Sequence, residues 1–173
     1  SASLVKELRE RTGMGMMDCK QALVTAKGDV SLAIEELRKS SGVKASKKAG
    51  RSAADGVIRV EINNSKAFMV EINCETDFVA KNADFQNMVS SFANIALSVA
   101  NIEELETAKV DGKSVLDTLT SKIATIGENM SLRRMGKISG ASIQSYVHNA
   151  AATDMGKIGV LVAMSANNDT FGR

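Results

Sequence analysis

Proline and tryptophan are absent from the 173 residues, tyrosine and histidine occur once each, and there are two cysteines. Five Phe and one Tyr are too few rings for a surface that stacks successive bases of a single strand. With His148 alone beside Cys19 and Cys74, a Cys/His zinc site lacks its usual four ligands. Two thiols 55 positions apart suggest a reducing compartment. Long apolar runs are missing too: the longest, Ile158 to Met164, is far too short to cross a bilayer. Lys6 and Glu7 put charge where a signal peptide has its apolar stretch, so a cytoplasmic protein is expected. Charge of one sign is also lacking. Lys and Arg number 22 against 20 Asp and Glu, which does not favour a duplex-wrapping surface or specific nucleic-acid binding.

What is present is ordinary for a folded chain: 44% hydrophobic and 24% charged residues, enough for one or two domains with a real core. Residues 1–42 read as three short helices. Ser3 is the expected cap of the first, with Leu4, Val5 and Leu8 inward and Arg11-Thr12-Gly13 ending it. Asp18 is the expected cap of the second, where Cys19, Ala22, Leu23 and Ala26 recur at helical spacing. Lys27-Gly28-Asp29 turns the chain into a third helix carrying Ala33, Ile34 and Leu37 and closing at Ser40-Ser41-Gly42. Residues 43–55 carry four cations and no apolar face, and read as a basic linker, a solvated tether before any nucleic-acid contact.

After Gly56 the period changes to two. Ile58, Val60 and Ile62 alternate with Arg59 and Glu61, and Phe68, Val70 and Ile72 with Met69 and Glu71, around a hairpin loop at Asn63–Lys66. Two helical stripes follow, one from Phe85 through Phe92 to Val99, the other from Val115 to Ile126 with Gly127 as its left-handed cap. Met130–Ile138, Ile143–His148 and Ile158–Met164 are strand candidates, with Asn149–Gly156 a loose connection. The fold class is α+β: a small three-helix domain (1–42), a linker (43–55), then an antiparallel sheet with helices on one face (56–173).

Two segments stand out as candidate sites. Met14-Gly15-Met16-Met17 places three polarizable side chains beside two glycines; some belong to the small core, but three in four positions cannot all face inward. At least one is expected on the surface, suited to another protein's helix. Cys74–Asn82 joins a strand end to a helix start, where Thr76 or Asp77 can cap the next turn. Phe78 in that turn suits either a core ring or a projecting wedge, and sequence alone favours core. Cys74, His148 and Asp77 supply the residue types of a nucleophilic set. No nucleophile loop and no thiol-activating cation accompany them, so Cys74 reads as a small core residue.

The opening Leu4-Val5-Lys6-Glu7-Leu8-Arg9-Glu10-Arg11-Thr12-Gly13, followed by Gly15-Met16-Met17-Asp18-Cys19-Lys20, closely resembles the amino-terminal domain of the bacterial elongation factor Ts family. Thr76-Asp77-Phe78-Val79-Ala80-Lys81-Asn82 matches that family's signature and Ile126-Gly127-Glu128-Asn129 a third motif, with the similarity running from residue 3 to about 165. The resemblance implies a guanine-nucleotide exchange factor for elongation factor Tu, met in its GDP-bound and nucleotide-free states, with no catalytic chemistry, cofactor, metal or directly held nucleotide. It implies a ubiquitin-associated-like fold for the first domain and the amino-terminal half of the family's core for the second. Tu contacts are implied at Thr76, Asp77, Phe78, Val79 and Asn82, at Arg9, Met16, Met17 and Lys20, and at Ile126, Gly127 and His148. In the family the phenylalanine enters between two helices of Tu and disturbs its magnesium and phosphate site. Longer members continue into a second core half and a helical hairpin, so the chain resembles a long form cut off halfway. The alternative is a protein-binding adaptor that uses the Met14–Met17 loop without exchange.

Overall fold

The computed structural model describes residues 1–166; the part of the expected core domain at 167–173 lies outside the described residues. The chain divides into two compact units, one formed by Ser1–Arg51 with Thr120–Asn129, the other by Ser52–Leu119 and the chain from Met130 onward.

The first unit begins with three helices, α1 (Ala2–Thr12), α2 (Met16–Thr25) and α3 (Val30–Ser46). Leu8, Cys19, Ala33 and Leu37 are buried between them with Met14, and Ala124 packs on the same cluster. Three boundaries differ from the sequence reading. Ser1, not Ser3, caps α1 by accepting from the Leu4 N–H, because Ser3 is already inside the first turn. Gly15 precedes α2, so Asp18 lies in its first turn, where a carboxylate suits the positive helix end. Asp18 also pairs with Lys44 at 2.8 Å. That contact, and burial of Ser41 beside the Met14 sulfur, carry α3 through Ser40-Ser41-Gly42 to Ser46, so the first residues of the expected linker are helical. The chain then turns through Lys47–Gly50, and the Asn129 amide donates to the Arg51 carbonyl at 2.7 Å.

The second unit is built on a five-stranded antiparallel sheet. Its strands are β1 (Asp55–Asn63), β2 (Lys66–Cys74), β5 (Ser131–Ser139), β6 (Ser142–Ala152) and β7 (Met155–Met164), ordered β5-β2-β1-β7-β6. Asn64, at φ 53°, makes the expected turn between β1 and β2. Val57 pairs with Ile72, Arg59 with Val70 and Glu61 with Phe68, and directly opposed residues share a face. Val57, Phe68, Val70, Ile72 and Cys74 are therefore the buried face, against which α5 (Ala83–Ala96) lays Phe85, Met88, Val89, Phe92 and Ala96. Of the alternating set Ile58, Val60 and Ile62, on the opposite face of β1, only Val60 is fully buried. Ile62 is exposed, and Arg59 and Glu61 sit half-buried on the α5 face as an ion pair at 2.5 Å.

The chain between α5 and β5 adds α6 (Ile102–Thr107), a small hairpin of β3 (Lys109–Val110) and β4 (Lys113–Ser114), and α7 (Val115–Ile126). The sequence reading anticipated only α7 and its Gly127 terminus, which adopts φ 90°. The supposed loose connection at Asn149–Gly156 is also different: β6 continues to Ala152 and β7 begins at Met155, leaving a tight turn at Thr153-Asp154. An alanine run has little strand propensity. Here pairing to β7 is joined by an Arg59 guanidinium bond to the Thr153 carbonyl and a Val60 N–H bond to Asp154.

Gly56 marks the place where β1 enters the sheet. At φ 135° it adopts a conformation that disfavours side chains, and a Cβ would stand 2.3 Å from the Ile72 carbonyl oxygen. Glycine there lets β1 lie close to β2 beside the end of the buried face.

Candidate functional site

In the second unit, β2 ends at buried Cys74, whose thiol donates to the Thr76 carbonyl at 3.2 Å. Thr76 then adopts an extended conformation and caps α4 (Asp77–Ala80), accepting through Oγ1 from the Val79 N–H. A single turn has only one inward side, and Val79 and Ala80 occupy it. Phe78 consequently faces out and is 82% exposed, which corrects the expectation of a core ring. An apolar ring of that size left in water, on a turn whose neighbours are anchored, is the most conspicuous side chain of this unit.

Charges surround the turn. Asp77 pairs with Lys81 at 2.8 Å. The Lys81 ammonium holds the Asp77 carboxyl below the usual aspartate range, and Asp77 raises Lys81 in return. Nearby, burial acts to raise Asp55, but the hydrogen bonds from Lys157 and the Gly56 N–H, with the charges of Lys157 and Lys81, outweigh it and leave its carboxyl lowered. A cleft of about 390 Å³ opens between this turn and the β6–β7 tip, lined by Asp77, Ala80 and Lys81 on one side and by Asn149–Ala151, Gly156 and Lys157 on the other. Asn82, the last signature residue, accepts from the Phe85 N–H and starts α5.

His148 lies on β6, exposed, with Nδ1 2.8 Å from the Tyr146 hydroxyl. The two rings stand on one face of the strand, two residues apart, with centroids 6.0 Å apart. Cys74 is fully buried and held within its own loop, which leaves the weighed nucleophilic set without an accessible thiol.

In the first unit, Arg9, Met16, Met17 and Lys20 line one open groove of about 1210 Å³ together with Leu4, Val5, Leu23 and the exposed Val24. Met14 is buried, whereas Met16 and Met17 are 59% and 72% exposed, so the methionine loop is divided between core and surface as expected. Lys6 and Lys27 add cations to the rim, opposed by Glu10. Ile126 and Gly127 are half-buried at the end of α7, where the Gly127 N–H closes the helix on the Ile123 carbonyl.

Sequence reasoning missed Asp55, Lys157 and Gln86, which border the Phe78 turn. The lysine of the Asp55–Lys157 pair lies 102 positions along the chain, so no local spacing could have shown it. Among the described residues, no group of three or more His, Cys, Asp or Glu is disposed to hold a metal ion, and no helix is long and apolar enough to cross a membrane.

Two surfaces stand out: a displayed ring on a capped turn in one unit, and an apolar groove with a cationic rim in the other. Comparison with known proteins places the chain in a family. The family model described as Elongation factor TS matches residues 75–173. Proteins named Elongation factor Ts from Ruegeria sp. (strain TM1040) and Ruegeria pomeroyi are 56% and 54% identical over all 173 residues, which is 60% of each relative's length. One from Cereibacter sphaeroides is 57% identical over 164 residues, 95% of this chain and 55% of the relative. The chain belongs to the elongation factor Ts family, and it spans about 60% of the length of the relatives it matches.

Proposed function

We propose that this chain is a guanine-nucleotide exchange factor of translation elongation, working in the cytoplasm on elongation factor Tu. It binds Tu·GDP and nucleotide-free Tu, inserts Phe78 between helices of the GTPase domain, and thereby disturbs the magnesium and phosphate site. The observation that carries this reading is the exposure of Phe78 on a turn anchored by a Thr76 cap and by buried Val79 and Ala80. Thr76, Val79 and Asn82 seat the turn, while Asp77 and Phe78 meet the partner. Arg9, Met16, Met17 and Lys20, together on one groove, form the second contact, in a bundle we take to be ubiquitin-associated-like. Ile126, Gly127 and His148 complete the interface. In this reading 1–42 and 56–173 are the working domains, and 43–55, whose first residues extend α3, joins them.

No acid, base or nucleophile is required. An exchange factor has to bind the nucleotide-free partner more tightly than the nucleotide-bound one, and that difference is the coupling free energy. Each ~1.4 kcal/mol of it weakens nucleotide affinity tenfold. Burying a phenyl ring supplies roughly 1.5–3 kcal/mol, so Phe78 alone is a substantial share. Coupling is reciprocal, so GDP drives the factor off again and allows turnover.

Stopped-flow release of fluorescent GDP from Tu tests the reading. Phe78→Ala is expected to slow release at least about tenfold, the low end of that burial energy, with an unchanged circular dichroism spectrum. A variant as fast as wild type would refute the wedge. Tu binding without accelerated release by the wild-type chain would leave an adaptor instead.

A further inference from the structure

The β6–β7 hairpin skips a residue: Ala150 pairs with Gly156 and Ala152 with Met155, leaving Ala151 out of the ladder. A bulge frees the extra residue's backbone groups from their usual partners. The one-turn helix that carries Phe78 has the same difficulty at its end, where the last carbonyls have no helical donor. Both are answered by one side chain. Gln86, half-buried on α5, donates from Nε2 to the Ala80 carbonyl at 3.1 Å, and its Nε2 stands 3.5 Å from the Ala151 carbonyl. The same amide thus reaches the end of the Phe78 turn and the bulge three residues past His148, across the cleft that both elements line.

Gln86 comes from a rigid element. Its own N–H is bonded to the Asn82 carbonyl, and its neighbours Phe85, Met88 and Val89 are buried. α5 therefore serves as the fixed body to which the turn and the hairpin tip are tied. A ring projecting from a single turn keeps its direction only if that turn cannot rock, and four residues lack the intrahelical bonds to ensure this. We infer that Gln86 is a positioning residue for exchange: its amide locks the Phe78 turn to the β6–β7 tip, so that the ring meets the partner already oriented. It touches no nucleotide and need not touch the partner. This inference rests on the exchange reading above.

The test is a double-mutant cycle in the whole chain, reading GDP release from Tu at saturating factor and, separately, the Kd for Tu·GDP. Gln86→Leu keeps the volume and loses the donor; Gln86→Glu keeps the shape and turns acceptor oxygens toward the carbonyls. Each is expected to slow maximal release roughly three- to tenfold, the range for one lost hydrogen bond, with the Kd altered by less than about twofold. In a Phe78→Ala background the Gln86 changes should have no further effect, since residues acting as one unit are non-additive. Amide hydrogen exchange at Ala80 and Lys81, whose N–H groups bond to Thr76 and Asp77, should quicken in Gln86→Leu while β1 and β2 keep their protection.

Unchanged release in both Gln86 variants, or a full Gln86 effect persisting beside Phe78→Ala, would overturn the inference. So would unaltered protection at Ala80 and Lys81. If Phe78→Ala alone exchanges as fast as wild type, the wedge reading falls, and with it the claim that Gln86 aids exchange. The hydrogen-exchange measurement then still decides whether the amide holds the turn.

Discussion

Thr76 illustrates how much a single hydroxyl decides in this molecule. Its Oγ1 accepts from the Val79 N–H and so sets where the one-turn helix begins, which in turn sends Phe78 outward and Val79 inward. Thr76→Ala should cost about 1 kcal/mol, the usual effect of losing such a cap, and should slow GDP release without unfolding the sheet. A thermal melt and a release trace on the same sample check this together. The neighbouring charges give a pH dependence of definite sign. Asp55 and Asp77 are both lowered from the ordinary value of 3.8, so the folded state holds their protons less tightly. Their contribution is present above that value and disappears as pH falls through the lowered ones. Lys81 is raised, so its contribution is present at neutral pH and is lost only as alkaline pH passes through the raised value. Melting curves below pH 4 should therefore show a smaller acid-dependent fall in Tm for Asp55→Asn than for wild type. An identical fall would mean that this carboxylate is not part of the acid response.

At the scale of elements, the β1–β2 pair and α5 make the platform. Gly56 lets β1 approach β2 where a side chain would collide with the Ile72 carbonyl, and its positive φ adds a conformational penalty for any other residue. Gly56→Ala is expected to destabilise by more than about 1 kcal/mol, seen as a lower urea midpoint with an unchanged slope. Within α5 the stripe of Phe85, Met88, Val89, Phe92 and Ala96 was plain in the sequence, because 3.6-residue periodicity is a local property. The extent of β6 was not. Asn149–Ala152 carries no alternating hydrophobic pattern and has a left-handed Asn149 at φ 51°; Ala150 and Ala152 pair with β7, while Arg59 bonds the Thr153 carbonyl of the turn that follows and Gln86 reaches the Ala151 carbonyl.

For the molecule as a whole, each unit has its own buried thiol, Cys19 in the first and Cys74 in the second, both fully enclosed. Neither should react with a thiol reagent in the native state, and both should react in denaturant. Since the two thiols report on different units, the course of their exposure along a urea titration shows whether the units open together. A single coincident transition would indicate one cooperative unit. Two separate ones would show that the bundle and the sheet are independently stable, as their separate cores suggest.

The residues by themselves determined the three opening helices, the first hairpin, the two later amphipathic helices and the family resemblance, all of which depend on neighbours within a few positions. Val60 and Ile62 show where that reasoning ends: they look equivalent along the strand, yet one is enclosed and the other open to water. Phe78 is the decisive case. Its sequence surroundings favour a core ring over a displayed one, and only the packing of Val79 and Ala80 onto the rest of the unit leaves the phenyl no inward position. The Asp55–Lys157 pair and the Gln86 amide likewise join points remote in sequence, because folding of the sheet, not local spacing, brings their partners within hydrogen-bonding reach.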